Sequence, residues 1–389
     1  MTTGSAPLRI GIDARYLSHG LVGGVHTYLT RLLPELIAAA PDDRFHLYAD
    51  TKAPFELEAP VGVTVRTLPW RHPGSSVWTD WVRLQRAMAR DRIDVGFFPA
   101  NHGFGPAGAA TVVTVHDALN LLPLAETFRP HGHARTPRSL LTAAYLKAAT
   151  TASIRRATRI VTMSAYSRDT IVAACGRAPE DFAVVHHGAP PKIPVGAAEI
   201  AGVVAATGVR PPFVLADGLK NPSVLLEARE RRRGDADPLS YVFFARHARV
   251  LPELAAAADR GAVRLLVRPS SAELAALYAA AAVFAFPSWV EGFGIPLLEA
   301  MTYGAPIVAA ARGSIPEVAG PAAILFDPED AGALAEALDR ATDPAEAARL
   351  RAAGTERVRG FTWRRSAMQT LDAIHKAYRQ VTGGSAEGA

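Results

Sequence analysis

Short runs of continuous apolar residues alternate along this chain with longer stretches of helical period, and the alternation occurs twice. In the first half the apolar runs are RIGID (Arg9 to Asp13), RFHLYA, VTVRTLP, VGFFP, ATVVTVHD and RIVTMS, with helix-patterned stretches such as GVHTYLTRLLPELIAAA and PRSLLTAAYLKAATTASIRRA between several of them. In the second half the runs are PFVLAD, SYVFFA, VRLLV, VFAFP, PIVAAA and AAILFDP, separated by NPSVLLEARERR, SSAELAALYAAA and IPLLEAMTYG. Strands that are apolar throughout are covered on both faces, and helices are what cover them. Two such sets predict an α/β chain of two doubly wound, Rossmann-like domains.

The pattern breaks in HHGAPPKIPVGAAEIAGVVAATGVRPP, His186 to Pro212, where two Pro-Pro pairs and weak periodicity read as a linker. The expected division is a first domain over 1–188, a linker over 189–210 and a second domain over 211–363. FTWRRSAMQTLDAIHKAYRQV predicts a last helix, 364–381, and the tail 382–389 is expected to be disordered. Doubly wound sheets bind ligands outside the carboxyl ends of their strands, so two facing sheets offer a cleft with two such edges, and the chemistry belongs on the loops that follow strands.

Composition narrows the classes. With 389 residues, 49% hydrophobic and 20% charged, the chain can bury two cores and is not a disordered polyelectrolyte. A net charge of +5, from 42 basic against 37 acidic residues, is too weak to imply nucleic acid as a partner. The lone Cys175 excludes an internal disulfide and reads as an inert thiol near a helix end, which suits a cytoplasmic protein. The N-terminus lacks a signal-peptide pattern, and the longest apolar run, Leu274 to Phe286, is too short to span a membrane. Between Thr127 and Arg168 there are basic residues and no acid: Arg129, Arg135, Arg138, Lys147, Arg155, Arg156, Arg159 and Arg168. A solvated helix face is the simpler account; the alternative is peripheral contact with the inner face of a membrane or with a phosphate-bearing acceptor.

Three motifs are decoys. GFGPAG, Gly103 to Gly108, fits the dinucleotide fingerprint by letter, but a strand follows it where that fingerprint needs a helix. DAD, Asp235 to Asp237, sits in a polar loop and reads as a solvated turn, and no cluster elsewhere has convincing metal spacing. GLKNP, Gly218 to Pro222, lacks the Walker run.

The sharpest signal is PSWVEGFGIPLLEAMTYGAPIV, Pro287 to Val308, which places Glu291 and Glu299 in an apolar, glycine-bearing stretch. Glu291 falls in the turn after a strand, Gly292 and Gly294 let a ligand approach the backbone, and Pro296 suits a helix start with Glu299 in its first turn. The N–H groups of 293–298 are expected to point out of the helix start. Dipole-favoured solvated acids account for Glu299 alone and explain Glu291 less well. Carboxylates accept hydrogen bonds from vicinal diols, so two acids at a helix mouth with an anion between them describe a site for a nucleotide sugar.

This segment resembles the signature of the retaining family-four (group 1) glycosyltransferases, which have the GT-B fold of two facing Rossmann-like domains. The resemblance continues through GSIPEVAGPAAILFDPED and the closing FTWRRSAMQTLDAIHKAY, and toward the N-terminus through IGIDARYLSHGLVGGVHTYLTRLLPEL, VTVHD and RIVTMSAYSRDTI. It implies that Glu291 faces the donor hexose, Glu299 the ribose, and that Phe293, Gly294, Ile295 and Leu298 belong to the donor site. It further implies that the Gly23–Gly24 loop approaches the diphosphate, that His116 contacts the hexose near the reacting carbon, and that the last helix crosses back to the first domain. Asp117 reads as a turn residue or an acceptor contact, and His187, in HHG, as a cleft residue or a packed one.

One departure stands out. Relatives in the family hold the diphosphate with two basic residues after the first strand of the second domain; here LADGLKN keeps Lys220 and lacks the arginine, for which Arg246 is a substitute. The reading is transfer of a hexosyl group to an acceptor hydroxyl with retention, by Glu291, Lys220 and His116, without metal or cofactor and with the nucleotide diphosphate sugar as co-substrate. The alternatives are an epimerase or glycoside phosphorylase of the same fold, or a non-catalytic sugar-binding protein. Base, hexose, acceptor and oligomeric state stay open.

Overall fold

The computed structural model describes residues 7–19, 24–57, 62–123, 136–232, 238–246 and 250–383. The chain divides into two compact units, Met1–Gly188 with Thr362–Ala389, and Ala189–Phe361.

Among the described residues the first unit holds a seven-stranded sheet of β1 (Arg9–Asp13), β2 (Arg44–Asp50), β3 (Thr64–Leu68), β4 (Val95–Phe98), β5 (Ala110–Thr114), β6 (Arg159–Thr162) and β7 (Phe182–Val184). Its spatial order is β3-β2-β1-β4-β5-β6-β7 and its pairings are parallel. The second unit holds a six-stranded sheet of β8 (Phe213–Asp217), β9 (Ser240–Ala245), β10 (Arg264–Val267), β11 (Val283–Phe286), β12 (Ile307–Ala310) and β13 (Ala323–Phe326), in the order β10-β9-β8-β11-β12-β13, again parallel.

The apolar runs explain the central strands. Every residue of β4, β5, β8, β11 and β12 is buried, as strands covered by helices on both faces must be. The edge strands β3 and β10 carry most of the exposed strand residues. In the second unit Phe243, Leu254, Val283, Val308, Leu334 and Leu338 close one core across β8, β9, β11 and β12. Both sheets reverse their winding at one place, between β1 and β4 in the first and between β8 and β11 in the second. Those two crevices are where a doubly wound sheet takes ligands.

Two features of the fold were not legible in the sequence. β7, only three residues long, is too short to give a periodic signal. The segment 189–210, expected as linker, carries the helix Ala197–Thr207, bounded by Gly196 and by Gly208 at φ 66, and this helix packs on the helix Ser271–Ala280. Alanine supplies its helix propensity, and its surface pattern is too weakly amphipathic to announce it.

The helix Trp363–Thr382 belongs to the first unit and packs on the helix Gly24–Ala39 and against β4, β5 and β6. It is pinned where Ser366 donates to the His186 carbonyl at 2.5 Å. The glycine of HHG is needed there: a Cβ at Gly188 would lie 2.4 Å from the Trp363 backbone nitrogen. Gly188→Ala should therefore overpack the junction and cost about 1–3 kcal/mol, lowering the melting temperature by several degrees; an unchanged melting curve would show that the two strands of chain can part without penalty.

Candidate functional site

The crevice of the second sheet is lined by the loops after β8 and β11. After β8, the Asp217 carboxylate accepts the Leu219 N–H at 2.9 Å and the Lys220 N–H bonds the Asp217 carbonyl at 3.1 Å, closing a tight turn into the helix Pro222–Arg231. Gly218 gives that turn room, since a Cβ would lie 2.7 Å from the end of the Leu254 side chain, which would have to shift. The turn aims Lys220 across the crevice: its Nζ lies 2.7 Å from Oε1 of Glu291, in the loop after β11. The pair is partly shielded, with side-chain exposures of 28% and 13%, so its attraction is screened less than that of a surface ion pair.

Glu291 is held on three sides. Ser288 donates to its Oε1 at 2.8 Å, Ser314 donates to its carbonyl at 2.9 Å, and Lys220 closes the third. Gly294 then turns the chain into the helix Ile295–Tyr303 at φ 97, a backbone conformation that favours glycine. The expectation that N–H groups of 293–298 serve a ligand narrows. Pro296 has no N–H, Leu297 donates to the Gly294 carbonyl at 3.0 Å, and Leu298 is wholly buried, with its side chain in the core. Phe293, Gly294 and Ile295 stay at the helix mouth, with the Phe293 ring packed edge-on against Phe361 at 5.9 Å.

Glu299 lies in the second helical turn rather than the first, because the helix begins at Ile295. Its Oε2 accepts from the Tyr278 hydroxyl at 3.0 Å and pairs with the Arg246 guanidinium. Arg246 follows β9 and lies over the Phe244 ring at 5.3 Å. Burial pushes the Glu299 carboxyl upward against the opposing pull of Arg246 and Tyr278, and burial likewise raises Asp217 against Leu219, Lys220 and Arg246. Two desolvated carboxylates at one sheet edge, each beside a cation, form a pocket whose charge a diol or phosphate can rearrange. Sequence reasoning missed Asp217, Tyr278, Ser288 and Ser314. Only Tyr278, a phenol in the apolar run LAALYAAA, left a trace, because a buried phenol needs a partner for its hydroxyl.

In the first unit His116 follows β5. Its N–H bonds the Asn101 side chain at 2.9 Å, and its Nε2 lies 2.8 Å from the Pro99 carbonyl. A carbonyl only accepts, so Nε2 carries the proton, and burial keeps the ring neutral by holding its pKa below the usual value. Nδ1 is therefore the acceptor nitrogen. Asn101, at φ 59 after β4, and His116 flank one side of the first crevice. On its other side Arg15 is buried, bidentate to Asp13 at 2.8 and 2.7 Å and bonded to Asp80 at 2.6 Å. Burial would raise the Asp80 carboxyl, but His102, Arg15 and Tyr145 hold it down to about 2.

The remaining expected residues separate. His187 is only 5% exposed, its ring stacked 6.0 Å from His116 and tilted or edge-on to Trp363 and Tyr28, so it packs the unit rather than presenting itself to an acceptor. Asp117 accepts the Leu119 N–H at 2.9 Å, as a turn residue does. Gly24 opens its helix exposed, with open space where a Cβ would stand, while Gly23 lies outside the described residues. In GFGPAG, Gly103 and Gly105 serve packing, since a Cβ would lie 2.0 Å from the Phe98 ring and 2.3 Å from the Thr111 hydroxyl, whereas Gly108 supplies a turn at φ 83. Cys175 ends the helix Ala165–Cys175 half-buried, and Asp235 to Asp237 lie outside the described residues. Of the basic segment, Arg129 and Arg135 are outside the described residues. Lys147 donates to the carbonyls of Leu121 and Leu122, Arg159 to that of Glu180, Arg156 lies over Trp81 and Phe104, and Arg168 pairs with Asp169, so four of its six described basic residues are engaged within the unit. No helix among the described residues is long and apolar enough to cross a membrane.

The stacked histidines set a pH dependence. Burial holds both rings below their ordinary pKa, and for His187 the nearby His116 and His186 add to it. The unfolded chain takes up protons below about pH 6.5 that the folded chain refuses, so this stability is whole above that pH and declines as the pH falls. The melting temperature should drop between pH 7.5 and 5.5, and His187→Phe, which keeps a ring there, should flatten the slope; equal slopes would contradict this.

Two family models match, one in each unit: "Glycosyltransferase Family 4" over residues 22–192 and "Glycosyl transferases group 1" over residues 218–357. The chain is 39% identical over 114 residues to the O-antigen chain mannosyltransferase B of Escherichia coli, a stretch covering 29% of this chain and 30% of that protein. The chain thus aligns with under a third of the length of the first curated relatives it matches. Sucrose-phosphate synthase from Thermosynechococcus elongatus superposes with a TM-score of 0.68 at 20% identity, over 97% of this chain and 100% of that one. HepE of Anabaena, solved in complex with UDP and glucose, does so with a TM-score of 0.64 at 17% identity, over 94% and 99%. At such identities the two structures speak to the fold, which is GT-B.

Proposed function

The chain belongs to the group 1 glycosyltransferases, and we propose that it moves a hexosyl group from a nucleotide diphosphate sugar to an acceptor hydroxyl with retention of anomeric configuration. The observation that carries this reading is the Lys220–Glu291 pair across the crevice between β8 and β11, beside the start of the helix Ile295–Tyr303. A cation and a carboxylate already in contact there can be parted by one ligand that offers an anion to the first and alcohols to the second. A diphosphate joined to a hexose is such a ligand. HepE, solved with UDP and glucose, lends the donor class, and the Escherichia coli mannosyltransferase lends the hexosyl transfer.

Each group then has a task. Lys220 neutralises the departing diphosphate, helped by the helix mouth at Phe293 to Ile295. Arg246 stands in for the second cation that the short loop after β8 lacks. In the free protein Arg246 is bonded to Glu299; a ribose diol on Glu299 competes for that carboxylate and turns Arg246 toward phosphate. Glu291 accepts from hexose hydroxyls, while the neutral His116 keeps Nδ1 as an acceptor nitrogen beside the crevice of its own unit. The bond from the hexose C1 to the diphosphate oxygen breaks, the acceptor oxygen bonds to C1 from the same face, and its proton passes to the departing diphosphate, which preserves the configuration. No resident metal or cofactor enters the scheme, so EDTA should leave turnover unchanged.

The test is incubation with UDP-, GDP- and ADP-hexoses while following nucleoside diphosphate release. Slow release from one of them, without added acceptor, is the expected result. Conversion of the donor to an epimer with no release would favour the epimerase alternative, and tight binding with neither outcome would favour a sugar-binding protein.

A further inference from the structure

We infer that Trp289 is a stacking platform for a pyranose ring of the acceptor, an inference that rests on the glycosyltransferase reading above. Trp289 is 41% exposed, in the same loop as Glu291 and two residues before it. A single exposed tryptophan needs no explanation by itself, but this one carries a cation over its ring. The Arg312 guanidinium lies over its ring at 5.4 Å. Arg312 is tied in turn to Glu329 at 3.2 Å and Asp327 at 3.7 Å. Trp289 follows β11, Arg312 follows β12, and Asp327 and Glu329 follow β13, so the whole assembly stands on the ligand edge of the second sheet.

The strand order says which part of a substrate it meets. β11 has β8 on one side and β12 on the other. The groups assigned to the diphosphate, Lys220 and Arg246, follow β8 and β9, whereas Trp289 is held toward β12 and β13. A donor laid along this edge with its diphosphate at Lys220 brings its hexose to Glu291. Trp289 then lies beyond the hexose, on the side away from the nucleotide, where an acceptor must come. An indole face offers a broad, rigid, apolar surface at little entropic cost. A pyranose presents a matching face of C–H groups with its hydroxyls turned outward to hydrogen-bond donors and acceptors. The occupant is therefore a saccharide unit.

Saturation-transfer NMR tests this with methyl α-D-mannopyranoside and methyl α-D-glucopyranoside as probes, in the presence of UDP, GDP or ADP, on the wild-type chain and the variants W289A and W289F. Transfer to the ring protons of one glycoside is expected in wild type and W289F and a loss of at least several-fold in W289A. The nucleotide-induced rise in melting temperature should be the same in all three. Unchanged transfer in W289A, no transfer to either glycoside in a wild-type chain that responds to nucleotide, or an equal loss in W289F would each overturn the platform. Transfer that depends on Trp289 in a chain no nucleotide stabilises would leave the platform standing and remove the donor reading instead.

Discussion

Replacing Glu291 by Gln should slow nucleoside diphosphate release from the donor by about 10³-fold while the melting temperature stays within a few degrees of wild type. The carboxylate accepts charge-assisted hydrogen bonds from sugar hydroxyls, each worth roughly 1.5–3 kcal/mol, and two of them lost at the reacting sugar span about 10²–10⁴ in rate. The fold loses little, because Ser288 and Ser314 still hold the loop and a partly exposed ion pair contributes about 1 kcal/mol or less. The variant carries a second, less obvious signature. With the charge of Glu291 gone, Lys220 no longer spends its ammonium on a carboxylate, so free nucleoside diphosphate should stabilise the variant at least as well as wild type. Isothermal titration beside a turnover assay separates the two effects. An active variant, or one that has lost nucleotide binding together with turnover, would count against Glu291 as the hexose contact.

Lys220→Ala gives the complementary pattern. Turnover should fall by about 10²–10³, the usual cost of removing one group that stabilises developing negative charge. Here nucleotide binding should fall too, since Lys220 meets the diphosphate directly, and the melting shift produced by UDP or GDP should shrink or vanish. Lys220→Arg should recover part of both, because charge at that place matters more than the shape of the head group. An alanine variant that binds nucleotide normally would move the diphosphate elsewhere, with Arg246 the next candidate to examine.

Much of this was legible in the residues. Strands such as FVLAD and VFAF are apolar throughout and short, and a chain with two sets of them separated by helices has few foldings open to it. The turn around Glu291 was legible for a local reason: a glycine pair and a proline after a strand prescribe a loop into a helix. What escaped was long-range or cooperative. Nothing in a linear reading joins Lys220 to Glu291, or Arg246 and Tyr278 to Glu299, because those bonds depend on how β8, β9 and β11 lie beside one another. Leu298, expected at the donor site, has its side chain buried, because the face of a short helix that enters the core is set by where the helix starts. For His187 the residues left open a cleft residue or a packed one, and only the fold shows it as one ring in a packed group with His116, Tyr28 and Trp363. The helix Ala197–Thr207 was hidden by the proline pairs around it, which are stronger punctuation than alanine is a signal.

The most direct measurement is a crystal structure of the chain with a bound nucleoside diphosphate hexose. The account requires the diphosphate at Lys220 and the start of the helix Ile295–Tyr303, with Glu291 released from Lys220 onto the hexose hydroxyls and Glu299 released from Arg246 onto the ribose. A donor seated away from the crevice between β8 and β11, with both ion pairs intact, would contradict it.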